Sequence, residues 1–88
     1  MRKKRDALDG SLSSAFGIAI SEIRAERKMK QSTAAAKAGV GQSSLSLIEA
    51  GARWPSGKSI TAIAAALGVK PSEIFYFVAD LLSQQEIR

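Results

Sequence analysis

Two short helical segments separated by three residues are the feature that most constrains the fold. Residues 31–38 include four alanines, which are strong helix formers, and Gly39 ends that helix because glycine adopts a left-handed conformation without strain. A second short helix fits residues 42–50, and Gly51 ends it in the same way. The chain therefore has to fold around two compact helices that are joined by a very short turn.

The rest of the pattern predicts three further helices and no strand. Apolar residues recur at three- and four-residue steps over residues 14–28, which indicates an amphipathic first helix. Ser56 is a suitable N-cap for a fourth helix that ends before Gly68. Pro71 fits the first turn of a fifth, largely apolar helix over about residues 71–84. We expect an all-α protein, a bundle of five helices.

The chain is short enough to be a single domain with one modest core. We place this domain at residues 13–88 and a flexible basic arm at residues 1–12. Like charges in sequence repel one another, which predicts disorder in the arm. The basic run of the arm consists of Arg2, Lys3, Lys4 and Arg5.

Positive charge dominates the composition. Thirteen Lys and Arg residues stand against eight Asp and Glu, which gives a formal net charge of +5, and the sequence pI is about 10.0. Each phosphate that a cation neutralises releases condensed counterions, so this balance favours a polyanionic partner such as a nucleic acid.

The residues on which most catalytic and metal sites depend are missing. The sequence has no Cys and no His, which excludes disulfides, thiolate ligands and imidazole bases. Its acids are scattered and form no catalytic cluster. We expect no enzyme activity, no cofactor and no metal site.

No apolar run approaches the roughly 18 residues that a membrane span needs. The basic N-terminus is also not followed by the apolar stretch of a signal peptide. These features predict a cytoplasmic protein with no membrane partner.

The two short helices have the pattern of a helix-turn-helix. Small Ala35 lets them approach closely, while Val40, Leu45 and Ile48 fill the space between them. This arrangement presents its second helix to the major groove of double-stranded DNA. Charge alone also allows RNA, but a protruding helix suits the wide DNA major groove better than the narrow groove of RNA.

In this region the chain resembles the XRE-like helix-turn-helix regulators, the family of the phage repressors and Cro. The resemblance covers about residues 16–75, roughly two thirds of the chain. The matching positions include Gly17, Ile20, Arg24, Gln31, Ala35, Gly39, Val40, Ser46, Ile48, Glu49, Gly51, Pro55, Ile63, Ala64, Ala66, Leu67, Gly68, Val69, Ser72, Glu73, Ile74 and Phe75.

The resemblance implies that the second helix lies across the DNA backbone and the third enters the major groove. Gln31 matches a glutamine that contacts phosphate, and Gln42, Ser43 and Leu47 match positions that contact base edges. A helical wheel with Leu45 inward places Ser43, Ser46 and Leu47 on the outer face, which makes Ser46 a further candidate for base contact. A glutamine amide can pair with adenine, and Leu47 either meets a thymine methyl or is an ordinary exposed leucine.

Further residues are candidates for phosphate contacts. Lys30 stands where the family often has a capping Ser or Thr, and its side chain cannot accept a bond from the helix amides. We expect it to contact phosphate instead, together with Ser44 and Arg53. Trp54 is more typical of a packing residue. The basic arm either embraces the DNA, as in some phage repressors, or stays a solvated tail.

The resemblance also implies a partly buried ion pair between Arg24 and Glu49. Its role is interpreted as structural first, because removing one member of a buried pair leaves the other charge without a partner.

The fifth helix carries more apolar surface than one small core needs. We expect a homodimer that binds a pseudo-palindromic operator, with recognition helices about 34 Å apart. The alternative is a protein-interaction module, an antitoxin or a coactivator, that binds a toxin or the transcription machinery through this helix. The predicted interface residues are Phe77, Val78, Leu81 and Leu82.

Overall fold

The computed structural model describes residues 11–87, with side chains up to Gln84, as a bundle of five α-helices. No strand occurs among these residues, and the all-α prediction is confirmed. The predicted contacts of Arg2, Lys3, Lys4 and Arg5 lie outside the described residues. The helices are α1 (Leu12–Glu26), α2 (Gln31–Ala38), α3 (Gln42–Glu49), α4 (Gly57–Leu67) and α5 (Pro71–Ile87).

The first helix begins earlier than the apolar periodicity suggested. The hydroxyl of Ser11 accepts a hydrogen bond from the backbone N–H of Ser14 at 3.2 Å and caps α1. Residues 11 and 12 therefore belong to the helix and its cap and not to the predicted arm. Helix α1 ends at Glu26, two residues before the predicted end.

A single hydrophobic core lies between α1 and the other helices. Phe16 and Ile20 of α1 are fully buried, and α1 packs against both α3 and α5. Helix α2 packs against α3 and α4 through its small residues Ala34 and Ala35. Each large apolar side chain that is fully buried contributes about 1.5–3 kcal/mol to the stability of the folded state. The other buried large residues are Ile23, Leu45, Ile48, Ile63, Leu67, Ile74 and Val78.

The connection between α4 and α5 is a sharp bend of 98° at Gly68, which has φ +77°. The bend brings the apolar faces of both helices onto the same core. No single helix in the described part of the chain is long and apolar enough to cross a membrane. Only when α4 and most of α5 are taken together, as a bent pair, do the length and composition suffice.

The first four helices end in the same backbone motif. In α1 the N–H of Lys28 donates to the carbonyl of Ala25 and the N–H of Met29 to that of Arg24. The same two bonds recur at Gly39, Gly51 and Gly68, all with positive φ. At the end of α1 this left-handed position is held by Lys28, with φ +54°. A residue with a Cβ is strained there by about 1–2 kcal/mol.

We expect Lys28→Gly to stabilise the protein. Relief of the strain at Lys28 exceeds the backbone entropy that glycine loses on folding, about 0.5–1 kcal/mol, so a net gain of up to about 1 kcal/mol remains. The midpoint of thermal unfolding, followed by circular dichroism, should rise by a few degrees. Gly39→Lys is the matched control. A Cβ at Gly39 would meet open space, but the backbone there has φ +72°, so the substitution adds only the backbone strain. It should lower the midpoint, and a lower midpoint for Lys28→Gly would contradict the strain argument.

Candidate nucleic-acid interface

Helices α2 and α3 form a helix-turn-helix with a tightly defined turn. Gly39 ends α2 in the left-handed conformation, and the N–H of Val40 donates to the carbonyl of Ala35 at 3.0 Å. Ala35 and Leu45 are buried where the two helices meet. The first helix of the motif thus fixes the second through backbone bonds and close packing.

The outer face of α3 carries the four side chains that were predicted to contact bases. Gln42, Ser43, Ser46 and Leu47 are all exposed, while Leu45 and Ile48 on the opposite face are buried. Leu47 keeps 40% of its surface exposed. This face combines an amide, two hydroxyls and one apolar group, which are the chemical groups that pair with base edges and thymine methyls.

Two of the residues predicted to contact phosphate are exposed, one before and one after the helix-turn-helix in the chain. Lys30 is exposed at the start of α2, and Arg53 is exposed in the loop after α3. The guanidinium Nη1 of Arg53 donates to the Ser44 hydroxyl oxygen at 3.0 Å, which ties the loop to α3. The Ser44 hydroxyl still has its own proton to donate.

The N-termini of the two helices in the motif differ from those of α1 and α4. Ser11 caps α1 and Ser56 caps α4, each with a side-chain oxygen. Within the described residues, α2 follows Lys30 and α3 follows Gly41, and neither residue supplies a capping bond. The first N–H groups of α2 and α3 therefore remain available to an anion, and the helix dipole favours negative charge there.

Basic residues far outnumber acidic residues around the helix-turn-helix. Between residues 27 and 72 the sequence has seven Lys and Arg residues and one acid, Glu49. The side chain of that acid is largely covered, and its charge is neutralised by Arg24. The segment that contains the helix-turn-helix therefore offers a positive surface with no free carboxylate.

Arg24 and Glu49 form a bidentate ion pair between α1 and the end of α3. The Nε of Arg24 lies 2.8 Å from Oε2 of Glu49, and its Nη2 lies 3.0 Å from Oε1. The Nη1 donates to the carbonyl of Met29 at 2.8 Å, in the connection to α2. The hydrogen bond to Glu49 raises the pKa of the Arg24 guanidinium, so the cation stays charged.

Gln31 joins this network, which the sequence alone did not indicate. Its amide nitrogen Nε2 donates to Oε1 of Glu49 at 3.1 Å. One carboxylate therefore connects α1, the start of α2 and the end of α3. Gln31 and Glu49 are 18 residues apart in the chain, so no local pattern predicts the contact.

A glycine lets α1 approach α3 closely enough for this network. A Cβ at Gly17 would lie 2.5 Å from the backbone oxygens of both Ile48 and Glu49. Contacts this short do not occur, so any side chain at this position would push α1 away from α3. The sequence marked Gly17 as a matching position, but its role as the contact point became visible only in the fold.

Aromatic residues support the loop after α3 from below. The Trp54 ring lies 5.0 Å from the ring of buried Phe16, and the Phe75 ring lies 5.7 Å from the same Phe16 ring. Such tilted arrangements are favourable for aromatic pairs. Trp54 remains 42% exposed. It thus packs on the core, as predicted, and anchors the loop that contains the neighbouring Arg53.

The comparisons with known proteins agree with this geometry. A family model described as helix-turn-helix matches residues 20–74, well over half of the chain. The chain belongs to the XRE-type helix-turn-helix family of DNA-binding regulators. Among curated proteins, no sequence matches it significantly.

Solved structures of other XRE-type proteins are similar to this chain. The restriction-modification controller C.AhdI from Aeromonas hydrophila is 32% identical, with a TM-score of 0.69 over 70% of this chain and 94% of that protein. The controller C.Esp1396I, a tetramer in complex with its natural 35 base-pair operator, is 27% identical, with a TM-score of 0.71 over 88% of this chain and 96% of that protein. The clp gene regulator ClgR from Corynebacterium glutamicum, 24% identical with a TM-score of 0.83 over 86% and 81%, shares the fold.

The structure corrects one part of the predicted dimer interface of this XRE-type protein. Val78 is 2% exposed and belongs to the core, so its side chain is not available to a partner. Phe77, Leu81 and Leu82 are partly buried and also pack against the core. The helix looked too apolar in sequence because one face of it covers α1. Among its described large apolar side chains, Tyr76 is the most exposed, at 77%.

We expect Glu49→Ala to destabilise the fold strongly. The substitution leaves the Arg24 guanidinium without its carboxylate and removes the acceptor of Gln31, at a cost of about 3 kcal/mol. Thermal unfolding followed by circular dichroism measures this loss. Glu22→Ala is the control, because Glu22 is exposed on the same α1 helix as Arg24. A Glu49→Ala protein with the wild-type midpoint would show that the pair is not structural.

Proposed function

We propose that this protein is a sequence-specific, double-stranded DNA-binding transcriptional regulator that inserts α3 into the major groove of an operator. One observation carries the proposal: Gln42, Ser43, Ser46 and Leu47 share the exposed face of a helix whose other face is fixed in the core. A helix held in this way can present base-contacting groups while losing little conformational freedom on binding.

The surrounding residues supply the contacts to the DNA backbone. The predicted phosphate contacts come from three places. Lys30 precedes α2 and Gln31 begins it, Ser44 lies on α3, and Arg53 lies in the loop after α3. Phosphate contacts position the helix but carry no sequence information, so these residues set affinity and register. The base-contacting side chains of α3 are short, and part of the selectivity therefore comes from the shape and flexibility of the DNA.

The similar proteins support this assignment. C.Esp1396I, which shares the fold along most of its length, occurs as a tetramer in complex with its operator. C.AhdI is a restriction-modification controller, and ClgR is a regulator of clp genes. The family consists of DNA-binding regulators and not of enzymes, in keeping with a sequence that has no His and no Cys.

The protein acts as a homodimeric repressor in this proposal. A recognition helix of eight residues contacts few base pairs. A two-fold dimer contacts twice as many, because its two recognition helices bind two half-sites of a pseudo-palindrome about 34 Å apart. The exposed side of α5 supplies the contact, with Tyr76 at its centre and with the outer edges of Phe77, Leu81 and Leu82 beside it.

The first test is a titration of the protein with a palindromic duplex from its own promoter region, at several salt concentrations. We expect the operator to bind about a thousandfold more tightly than a scrambled duplex of equal length, with affinity falling steeply as salt rises. Gln42→Ala should weaken the operator complex alone. Lys30→Ala should weaken both complexes equally and reduce the salt slope by about one. Equal and weak binding to both duplexes would overturn the proposal of a sequence-specific regulator.

We expect Tyr76→Glu to abolish dimerisation and leave the fold intact. The side chain is largely exposed in the monomer, whereas a carboxylate on a two-fold axis would face its own copy. Sedimentation equilibrium measures the mass, and circular dichroism confirms the helices. Ala65→Glu, on the exposed side of α4, is the matched control and should remain dimeric. A Tyr76→Glu protein that still dimerises would place the interface elsewhere.

A further inference from the structure

The hydrogen bond between Gln31 and Glu49 fixes the orientation of an amide that would otherwise rotate. A carboxylate only accepts hydrogen bonds, so the nitrogen of the Gln31 amide, and not its oxygen, has to face Glu49. The nitrogen carries two protons, and one of them is committed to Oε1 of Glu49. The second proton remains free to bond to another acceptor.

Glu49 is itself held in place and is not free to follow Gln31. Both of its carboxylate oxygens accept from Arg24, and the Glu49 side chain is only 8% exposed. Arg24 in turn is anchored to the carbonyl of Met29, two residues before Gln31. The position of the Gln31 amide is therefore determined by α1 and α3 as well as by its own helix.

Gln31 is the first residue of α2, where the backbone N–H groups lack a capping side chain. A phosphate at this end of α2 only accepts hydrogen bonds, as a carboxylate does. It can bond to the free proton of the Gln31 amide while Glu49 holds the other proton. A side chain that is already held in its binding orientation loses little conformational freedom when the phosphate arrives.

We propose that Glu49 is a positioning residue for DNA binding, which holds the Gln31 amide in the orientation that binds a backbone phosphate. The proposal rests on the proposed function and deepens it. Glu49 itself contacts no DNA, because it is largely covered and its charge is balanced by Arg24. Its contribution to affinity passes through Gln31 and vanishes when Gln31 is removed.

A double-mutant cycle tests this coupling. The probe is a mixed-sequence DNA duplex of about 30 base pairs at low salt, because phosphate contacts do not depend on sequence. The variants are Gln31→Ala, Glu49→Gln and the double variant, each assayed below its unfolding midpoint. We expect each single substitution to weaken binding about three- to tenfold. In the Gln31→Ala background, Glu49→Gln should add less than about twofold.

Gln42 provides the matched control, since it is a second glutamine of the interface and lies on the same helix as Glu49. Gln42→Ala should leave the affinity for this mixed-sequence duplex unchanged, and Glu49→Gln should weaken binding by the same factor in the Gln42→Ala background as in the wild type. If Glu49→Gln weakens binding equally in the wild-type and Gln31→Ala backgrounds, its effect is only structural and the positioning role is refuted. A wild-type protein that fails to bind any duplex at low salt overturns the proposed function, and this inference with it.

The unmodified protein offers a second measurement that needs no folded Glu49 variant. The side-chain amide signals of Gln31 are assigned in nitrogen–proton NMR spectra by their loss in Gln31→Ala. We expect their protons to exchange with water several-fold more slowly than those of exposed Gln42. Equal exchange rates at the two glutamines would show that Glu49 does not hold the amide, and would overturn the inference.

Discussion

The ion pair between Arg24 and Glu49 is the interaction on which the arrangement of the DNA-binding motif depends. It joins the end of α1 to the end of α3, and through Met29 and Gln31 it also holds the start of α2. An ion pair this well covered adds little stability over an apolar contact, but it enforces one geometry because both charges must stay paired. The three helices that place the recognition face are therefore fixed relative to one another by one carboxylate.

Close packing of backbone on backbone makes that geometry accessible. Gly17 allows α1 to approach the final carbonyls of α3, and Gly51 then turns the chain beside Ser14 with φ +79°. The apolar core beneath, centred on Phe16, supports the loop that carries Arg53 and Trp54. The interface thus combines a rigid inner layer with an outer layer of short polar and basic side chains. Such a layer suits DNA, because basic side chains bind the phosphate backbone and only a few side chains contact the bases.

Several features were predictable because their causes are local. Alanine-rich segments, glycine at helix ends and apolar periodicity predicted α2, α3 and α4 within a residue or two. The start of α1 was predicted less well, because serines at positions 11, 13 and 14 are all suitable caps and only the fold selects Ser11. Lys28 was also hidden, since a lysine gives no sign that it will occupy a left-handed position.

The sequence by itself determined the fold class, the helix-turn-helix and the exposed face of α3, because helix periodicity and turn chemistry act over a few residues. The tertiary structure alone decided which apolar residues of α5 are core, as with Val78, and which remain exposed, as with Tyr76. It also decided that Gln31 meets Glu49 across 18 residues of chain. Contacts of this kind depend on how whole helices pack, and a one-dimensional pattern carries no information about the distance between two helix faces.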